Sequence, residues 1–173
     1  RVTMENRNAV GPTTLRRVPK LADKCVEVVR AAGDDGKVAA LKVVGSLAAT
    51  VENRVPLFRT PGLVDAALDA ARCGATDVIR ESALGVIANL AAAEEVRAPL
   101  LEKAQLLDTL VAACASPGNE SRFLAVHAVF ALSSSADVAH AVDLPTVVAA
   151  LSARLTDSDP RTRQRAAMAL ANI

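Results

Sequence analysis

The feature that most constrains this chain is a short pattern that recurs four times at nearly constant spacing. Each copy opens with a basic residue and has alanine three positions later and another small or apolar residue after it, and the copies lie 43, 42 and 41 residues apart. The four opening residues are Lys37, Arg80, Arg122 and Arg163. Unrelated helices would not keep this spacing, so the sequence predicts a tandem repeat protein. Such proteins bury their core between neighbouring units and leave one extended surface, which is suited to binding another macromolecule.

Apolar residues follow each basic residue with the period of a helix that buries one face. The positions seven residues later hold Val44, Ile87, Val129 and Leu170. An earlier apolar column, which predicts a second helix in each unit, holds Val18, Val64, Leu107 and Val148. The segments 52–58 and 95–101 predict a third, shorter helix with a proline in its first turn. Turn residues at 33–36, 74–77, 116–119 and 157–160 precede the long helices. Each unit is therefore predicted to be a short, a medium and a long helix.

These residues resemble the armadillo repeat, a three-helix unit of about 42 residues. The resemblance rests on Asn-Arg in the first helix, on Val18-Pro19 opening the second, and on the segment 81–91 in the third. The last stretch, 157–167, is also similar to HEAT-type repeats. The resemblance covers essentially the whole chain and implies an all-α fold, a right-handed α-solenoid of about four stacked armadillo/HEAT-like repeats.

We expect one domain over residues 1–173, because no proline- or glycine-rich spacer interrupts it. Its units are predicted at approximately 1–48, 49–92, 93–133 and 134–173. Hydrophobic residues make up 51% of the chain, which is enough to fill a core. The chain opens partway through a unit and stops inside a predicted long helix. We therefore expect it to be a segment of a longer array.

Composition narrows the class of partner and the compartment. Lysine and arginine exceed acidic residues by only one, and the three aromatic residues are all phenylalanine. This disfavours nucleic acid, because no aromatic side chains alternate with a basic surface. No apolar run reaches the ~20 residues of a membrane span. Cys25, Cys73 and Cys114 are predicted to be buried thiols, which fits a reducing compartment, cytoplasmic and/or nuclear.

No catalytic signature accompanies the repeats. His127 and His140 have no nucleophile motif beside them, and no phosphate-binding loop or zinc motif occurs. We predict a noncatalytic protein with no catalytic residue, cofactor or metal. Two alternatives stay open. One is an accessory part of an enzyme of the ubiquitin-ligase or bilin-lyase type, and the other is a structural subunit of a larger assembly.

The resemblance also implies a site. In armadillo proteins the third helices line a concave groove, where a tryptophan, and an asparagine four residues later, hold the main chain of an extended peptide. The tryptophan places here hold Lys42, Gly85, His127 and Met168. The asparagine places hold Ser46, Asn89, Ala131 and Asn172. Because every tryptophan is missing, we do not expect recognition of basic nuclear-import signals. The two asparagines keep the ability to donate to and accept from a peptide backbone.

The full predicted groove adds neighbours on the same helix faces. Phe123 with Leu124 and His127 is predicted either to form an apolar pocket for a partner's anchor residue or to pack on the next repeat. Lys42 favours an acidic ligand. The predicted groove residues are Lys42, Ser46, Glu81, Gly85, Asn89, Phe123, His127, Arg165, Met168 and Asn172.

The four basic residues of the repeat form a predicted basic edge beside the groove. Stacking would align Lys37, Arg80, Arg122 and Arg163, where they would attract an acidic segment or a phosphate backbone. The alternative is that they are solvated or cap the turns. The leading hypothesis is a scaffold or adaptor that binds a protein or peptide segment in the third-helix groove.

Overall fold

The structure is a computed structural model that describes residues 12–142 and 144–173. These residues form α-helices and contain no strand. The helices are α1 Pro12–Ala31, α2 Asp34–Ala49, α3 Val51–Phe58, α4 Leu63–Cys73, α5 Asp77–Ala91, α6 Glu94–Leu101, α7 Leu106–Cys114, α8 Asn119–Ser133, α9 Ala136–Val142, α10 Pro145–Ala153 and α11 Pro160–Asn172. The predicted first short helix around residues 5–7 lies outside the described residues. The described part confirms the all-α prediction.

The helices follow the predicted order of short, medium and long. This order occurs in α3–α5, in α6–α8 and in α9–α11, whereas α1, with 20 residues, is longer than α2, with 16, in the place where a medium helix is predicted. One boundary differs from the prediction. α1 begins at Pro12, so Val18 and Pro19 lie inside this helix and do not open it.

The turns before α5 and α11 cap these helices through side chains, as their composition predicts, whereas glycines without such a cap stand at the N-termini of α2 and α8. The Thr76 hydroxyl accepts a hydrogen bond from the Ile79 amide at 3.3 Å, and the Asp159 carboxylate accepts one from the Arg161 amide at 2.9 Å. Side-chain oxygens at this position satisfy amides that have no partner inside the helix. The two capping residues mark the N-termini of α5 and α11, within the predicted turns 74–77 and 157–160.

Two arginines satisfy the opposite ends of long helices. Arg54 Nε donates to the Ala48 carbonyl at 3.0 Å, and Arg97 Nε donates to the Ala91 carbonyl at 3.2 Å. The last carbonyls of a helix have no partner within it, so a guanidinium six residues later supplies one. These two arginines therefore fix how α3 leaves α2 and how α6 leaves α5.

The helices form two main layers. The long helices α2, α5, α8 and α11 pack side by side in chain order, and α1, α4, α7 and α10 do the same. The core lies between these layers and includes Leu84, Ile87 and Leu90, none more than 1% exposed. Burying one such side chain stabilises the fold by about 1.5–3 kcal/mol. The long helices thus share one buried seam and keep the opposite side free.

Two details contradict the sequence analysis. Pro56 and Pro99 lie inside α3 and α6, beyond the first turn where prolines were predicted. Cys73 is exposed at the end of α4, whereas Cys25 and Cys114 are buried as expected. Cys114 also ends its helix, so the exposure of Cys73 follows from the side of α4 on which it lies and not from its place at the helix end. Across the described ranges, no helix is both long and apolar enough to span a bilayer.

Candidate partner-binding groove

The free side of α2, α5, α8 and α11 is called the third-helix face. Lys42 and Ser46 are exposed on α2, and Met168 is exposed on α11. Gly85 on α5 has no atom within 4 Å of the place where a Cβ would lie. Three of the four tryptophan places therefore hold a cation, a glycine next to open space and a flexible thioether.

The fourth place belongs to a stack of rings along α8. Phe123 and His127 lie parallel, with ring centroids 5.7 Å apart and an interplanar angle of 2°. His127 and Phe130 follow at 6.2 Å and 23°. All three side chains are half-buried. Offset stacking at these distances is favourable, so the rings form a rigid apolar ridge on the third-helix face.

Two arginines from the next long helix cover this ridge. The Arg161 guanidinium carbon lies 4.4 Å from the centroid of Phe123, and that of Arg165 lies 4.7 Å from the centroid of Phe130. A guanidinium over an aromatic face is attracted by the ring quadrupole. Phe123 therefore packs against the next repeat, the second of its two predicted arrangements. Its ring remains half-buried.

The two arginines differ in their other contacts. Arg161 pairs with Glu120 at 3.0 Å and with Asp159 at 2.9 Å. Arg165 contacts the Met168 sulfur at 3.9 Å, and no carboxylate within the described part of the chain pairs with it. Arg165 is thus a cation on the third-helix face whose charge these residues leave uncompensated.

The surroundings of His127 favour its neutral form. Burial lowers the pKa of its imidazole, and the nearby Arg165 cation lowers this pKa further. Its Nδ1 atom is buried and has no hydrogen-bond partner among the described residues. Both effects on the pKa favour an uncharged ring within the ridge.

Both asparagines of the predicted groove connect neighbouring long helices. Asn89 Nδ2 donates to the Gly45 carbonyl at 3.1 Å, and Asn172 Nδ2 donates to the Ser133 hydroxyl at 3.2 Å. Each bond joins a long helix to the one before it in the stack. The amide nitrogens are thus engaged within the protein.

Glu81 makes a similar connection. Its Oε1 atom accepts a hydrogen bond from the Ser121 hydroxyl at 3.4 Å, which joins α5 to α8. Ser121 is buried and Glu81 is half-buried. The acidic charge at this end of the face is therefore held close to the α5–α8 seam.

The arginines of the predicted basic edge fold back onto the turns before their own helices. Arg122 Nη1 donates to the Ser116 carbonyl at 3.0 Å, Arg163 Nη1 donates to the Asp157 carbonyl at 2.7 Å, and Arg80 Nη1 donates to the Gly74 carbonyl. In each case the acceptor lies six residues earlier. This geometry supports the capping alternative for these three arginines. Lys37, whose ammonium has no planar fork, holds the fourth position.

Arg122 also forms a buried ion pair. Its Nε lies 2.7 Å from Asp157 Oδ2, and its Nη2 donates to Asp157 Oδ1 at 3.1 Å. Arg154 Nη1 approaches the same carboxylate at 3.2 Å. The Arg122 guanidinium lowers the pKa of Asp157 to about 2. This cluster locks the α7–α8 turn to the α10–α11 turn.

Sequence reasoning missed two members of the third-helix face. Phe130 completes the ring ridge, and Arg161 covers Phe123. The spacing of Phe123, His127 and Phe130, at i, i+4 and i+7, places them on one side of a helix and is a signal that could have found Phe130. Arg161 has no such signal, because its contact depends on how α11 stacks on α8.

Solved structures show which fold this arrangement belongs to. A designed armadillo repeat protein made for modular peptide recognition matches 93% of this chain and 74% of its own, with 20% identity and a TM-score of 0.80. Another, in complex with the peptide (KR)4, matches 92% and 74%, with 20% identity and a TM-score of 0.79. An engineered protein matches 87% of this chain with a TM-score of 0.78, and this chain spans only 61% of it.

Sequence comparison adds no closer relative. The sequence matches no protein-family model and no curated protein. At about 20% identity, the likeness to the designed proteins concerns the fold. Both the stacking of the long helices and this likeness show that the chain has an armadillo-like repeat fold, an all-α solenoid.

Proposed function

We propose that this chain is a noncatalytic scaffold that binds a segment of a partner protein on its third-helix face. The observation that carries the proposal is the ring ridge of Phe123, His127 and Phe130, whose side chains are all half-buried along α8 and whose last ring, Phe130, also packs against the core. Partly exposed aromatic rings fixed by stacking offer contact area at a low entropic cost.

Charge supports an acidic or neutral partner segment over a basic one. Lys42 is exposed, and Arg165 lacks a carboxylate partner within the described residues. Glu81 and Glu120 are engaged by Ser121 and Arg161. The peptide (KR)4 bound by one of the designed proteins is basic. This chain shares that protein's fold, and we infer that it differs in the charge of the segment it accepts.

Truncating the ring ridge gives a direct test. A displayed library of random peptides is selected on the full chain, and the enriched peptides are titrated against Phe123→Ala, which removes one ring of the ridge. Loss of a central contact weakens binding by roughly tenfold or more. Glu52→Lys on α3 changes an exposed charge outside the third-helix face and serves as the matched control.

We expect enriched peptides to bind the wild type and Glu52→Lys equally and to bind Phe123→Ala weakly, with circular dichroism showing that all three are folded. Equal binding to Phe123→Ala, or no enrichment over a blank surface, would overturn the proposed use of this face.

A further inference from the structure

A second surface, separate from the third-helix face, lies between successive medium helices. A cleft of about 480 Å³ opens between α4 and α7. Its apolar wall includes Ala71, Ala112 and the buried Leu84. Its polar wall includes Arg72, Arg80 and Ser116. The volume is large enough for a small organic group or for a side chain of another protein.

The repeat provides an internal comparison one unit later. A cleft between α7 and α10 has the same position in its unit, and it is lined by residues about 41 positions further along the chain. Its volume is about 340 Å³. The first cleft reaches inward to Arg80, whereas Arg122, the counterpart of Arg80, does not line the second cleft. The second cleft is thus shallower at its inner end.

The reason for the difference is the carboxylate of Asp157. Next to the second cleft, which Arg154 lines, Asp157 Oδ2 lies 2.7 Å from Arg122 Nε and 3.2 Å from Arg154 Nη1. The shared arginine-to-carbonyl bonds make Ser116 the counterpart of Asp157, and three residues earlier Ala113 is the counterpart of Arg154. Small residues therefore stand in the first cleft where the second cleft is filled by an ion pair.

The cation that would receive such a carboxylate is still present. Arg80 lines the first cleft and is paired with Asp77, a carboxylate 63% exposed on its own helix turn. Arg72, at the rim, is paired with the exposed Asp69. A guanidinium has five N–H groups, so each arginine keeps donors for a further acceptor. Asp108 also lines the wall and limits the excess positive charge.

A buried hydroxyl also lines the α4–α7 cleft and has no partner within the described residues. Thr109 is 4% exposed, and its Oγ1 atom has no hydrogen-bond partner among the described residues. The counterparts in the neighbouring units are Ala66 and Ala150. A buried hydroxyl without a partner is unfavourable, so Thr109 offers an unused hydrogen-bonding group to a ligand in the α4–α7 cleft. The neighbouring units, which have alanine at this place, offer none.

We propose that the α4–α7 cleft binds a carboxylate group that takes the place Asp157 occupies in the next unit, with Arg80 as its main donor. The carboxylate comes either from an aspartate or glutamate of another protein or from a small free acid. Arginine and carboxylate match in geometry through two parallel hydrogen bonds, as the Arg122 pair in this chain demonstrates.

Small probes test this proposal on the full chain. Acetyl-aspartate-N-methylamide reproduces the side chain and backbone of Asp157, acetyl-asparagine-N-methylamide is its uncharged counterpart, and succinate is a free acid without peptide groups. Nuclear magnetic resonance follows the Arg80 Nε–H signal and the amide signals of Ser116 and Ser121. We expect saturable shifts with a carboxylate probe and none with the asparagine probe. Binding of succinate indicates a free acid, and binding of the aspartate probe alone indicates a protein side chain.

Variants identify the cleft as the place of binding. Arg80→Gln should weaken the carboxylate probe by about tenfold or more. The double variant Ala113→Arg with Ser116→Asp rebuilds the internal ion pair and should abolish binding while the chain stays folded. Arg59→Gln, an exposed arginine that does not line the cleft, should bind as the wild type does. Absence of saturable shifts with both acids, or equal shifts in the double variant, would overturn the proposal.

Discussion

Asp157 shows how much depends on a single buried carboxylate. Its side chain is 1% exposed, and both Arg122 and Arg154 donate to it. It also accepts the Asp159 amide at 3.0 Å, which fixes the turn before α11. A buried carboxylate with these partners is satisfied, whereas either arginine alone in this place would be an uncompensated charge.

Replacing Asp157 by alanine should therefore be strongly destabilising. Removing one member of a buried ion pair costs about 3–5 kcal/mol in the free energy of unfolding. Urea unfolding followed by circular dichroism measures the loss. Asp77→Ala, which breaks an exposed pair with Arg80, is the matched control and should cost about 1 kcal/mol or less. Similar losses in the two variants would contradict the buried role of Asp157.

The same carboxylate predicts how stability depends on pH. The pKa of Asp157 is about 2 in the folded protein, below the ordinary value of about 3.9 in an unfolded chain. The unfolded state therefore takes up the proton first as the pH falls, so this stabilisation is complete above about pH 5 and is lost on acidification towards about pH 2, by roughly 2–3 kcal/mol. Urea midpoints measured across this range should fall less steeply in Asp157→Asn. Parallel curves would show that other groups dominate.

At the scale of one element, α5 contains a glycine that serves no visible packing purpose. Gly85 lies in mid-helix with open space around it, whereas Gly74, just before the helix, is tightly enclosed. A Cβ at Gly74 would lie 2.5 Å from the Ala70 carbonyl oxygen and 2.7 Å from Ile79 Cγ2. The α4–α5 turn thus requires glycine for its close approach, and the helix does not.

Alanine at these two positions should have opposite effects. Gly85→Ala should raise the free energy of unfolding by about 0.5–1 kcal/mol, because glycine loses more backbone entropy in a helix. Gly74→Ala should lower it by about 1–3 kcal/mol through overpacking. Thermal unfolding of the two variants beside the wild type measures both changes. A stabilising Gly74→Ala would mean that the turn can relax around a Cβ.

The elements illustrate what the sequence can predict and what it cannot. Apolar spacing predicted the long helices, and residues such as Ile87 are buried as that spacing requires. The bond from Asn89 to Gly45 was not predicted, and capping of its own turn by Arg122 was only one of the alternatives, because each contact depends on where a backbone carbonyl lies in the folded chain. Periodicity fixes which side of a helix is buried. It does not determine which acceptor a long polar side chain finds.

At the scale of the whole molecule, stability is distributed along the stack. α5 packs on α2, α4 and α8, whereas α11 packs on α8 and α10. Contacts between helices are therefore mostly with neighbours in the row, and stability is close to a sum of nearest-neighbour terms. A local defect should remain local in such an arrangement.

Leu84→Ala tests this view. Leu84 is 1% exposed in α5, and its truncation should cost about 2–5 kcal/mol. Hydrogen exchange should then show lost protection in α2, α4, α5 and α8 and smaller changes in α11. Leu151→Ala in α10, where Leu151 is fully buried, should give the opposite distribution. Uniform loss along the chain in both variants would instead indicate one all-or-none unit.

The bond from Asn89 to Gly45 has a mechanical consequence. It is a tether across the joint between α2 and α5, and it helps to set how far each long helix is rotated relative to the last. A bound chain that captured this amide would have to release the tether. Ligand binding at Asn89 and the superhelical pitch of the array would then be thermodynamically linked. Stretching or compressing the array would therefore change its affinity for the bound chain.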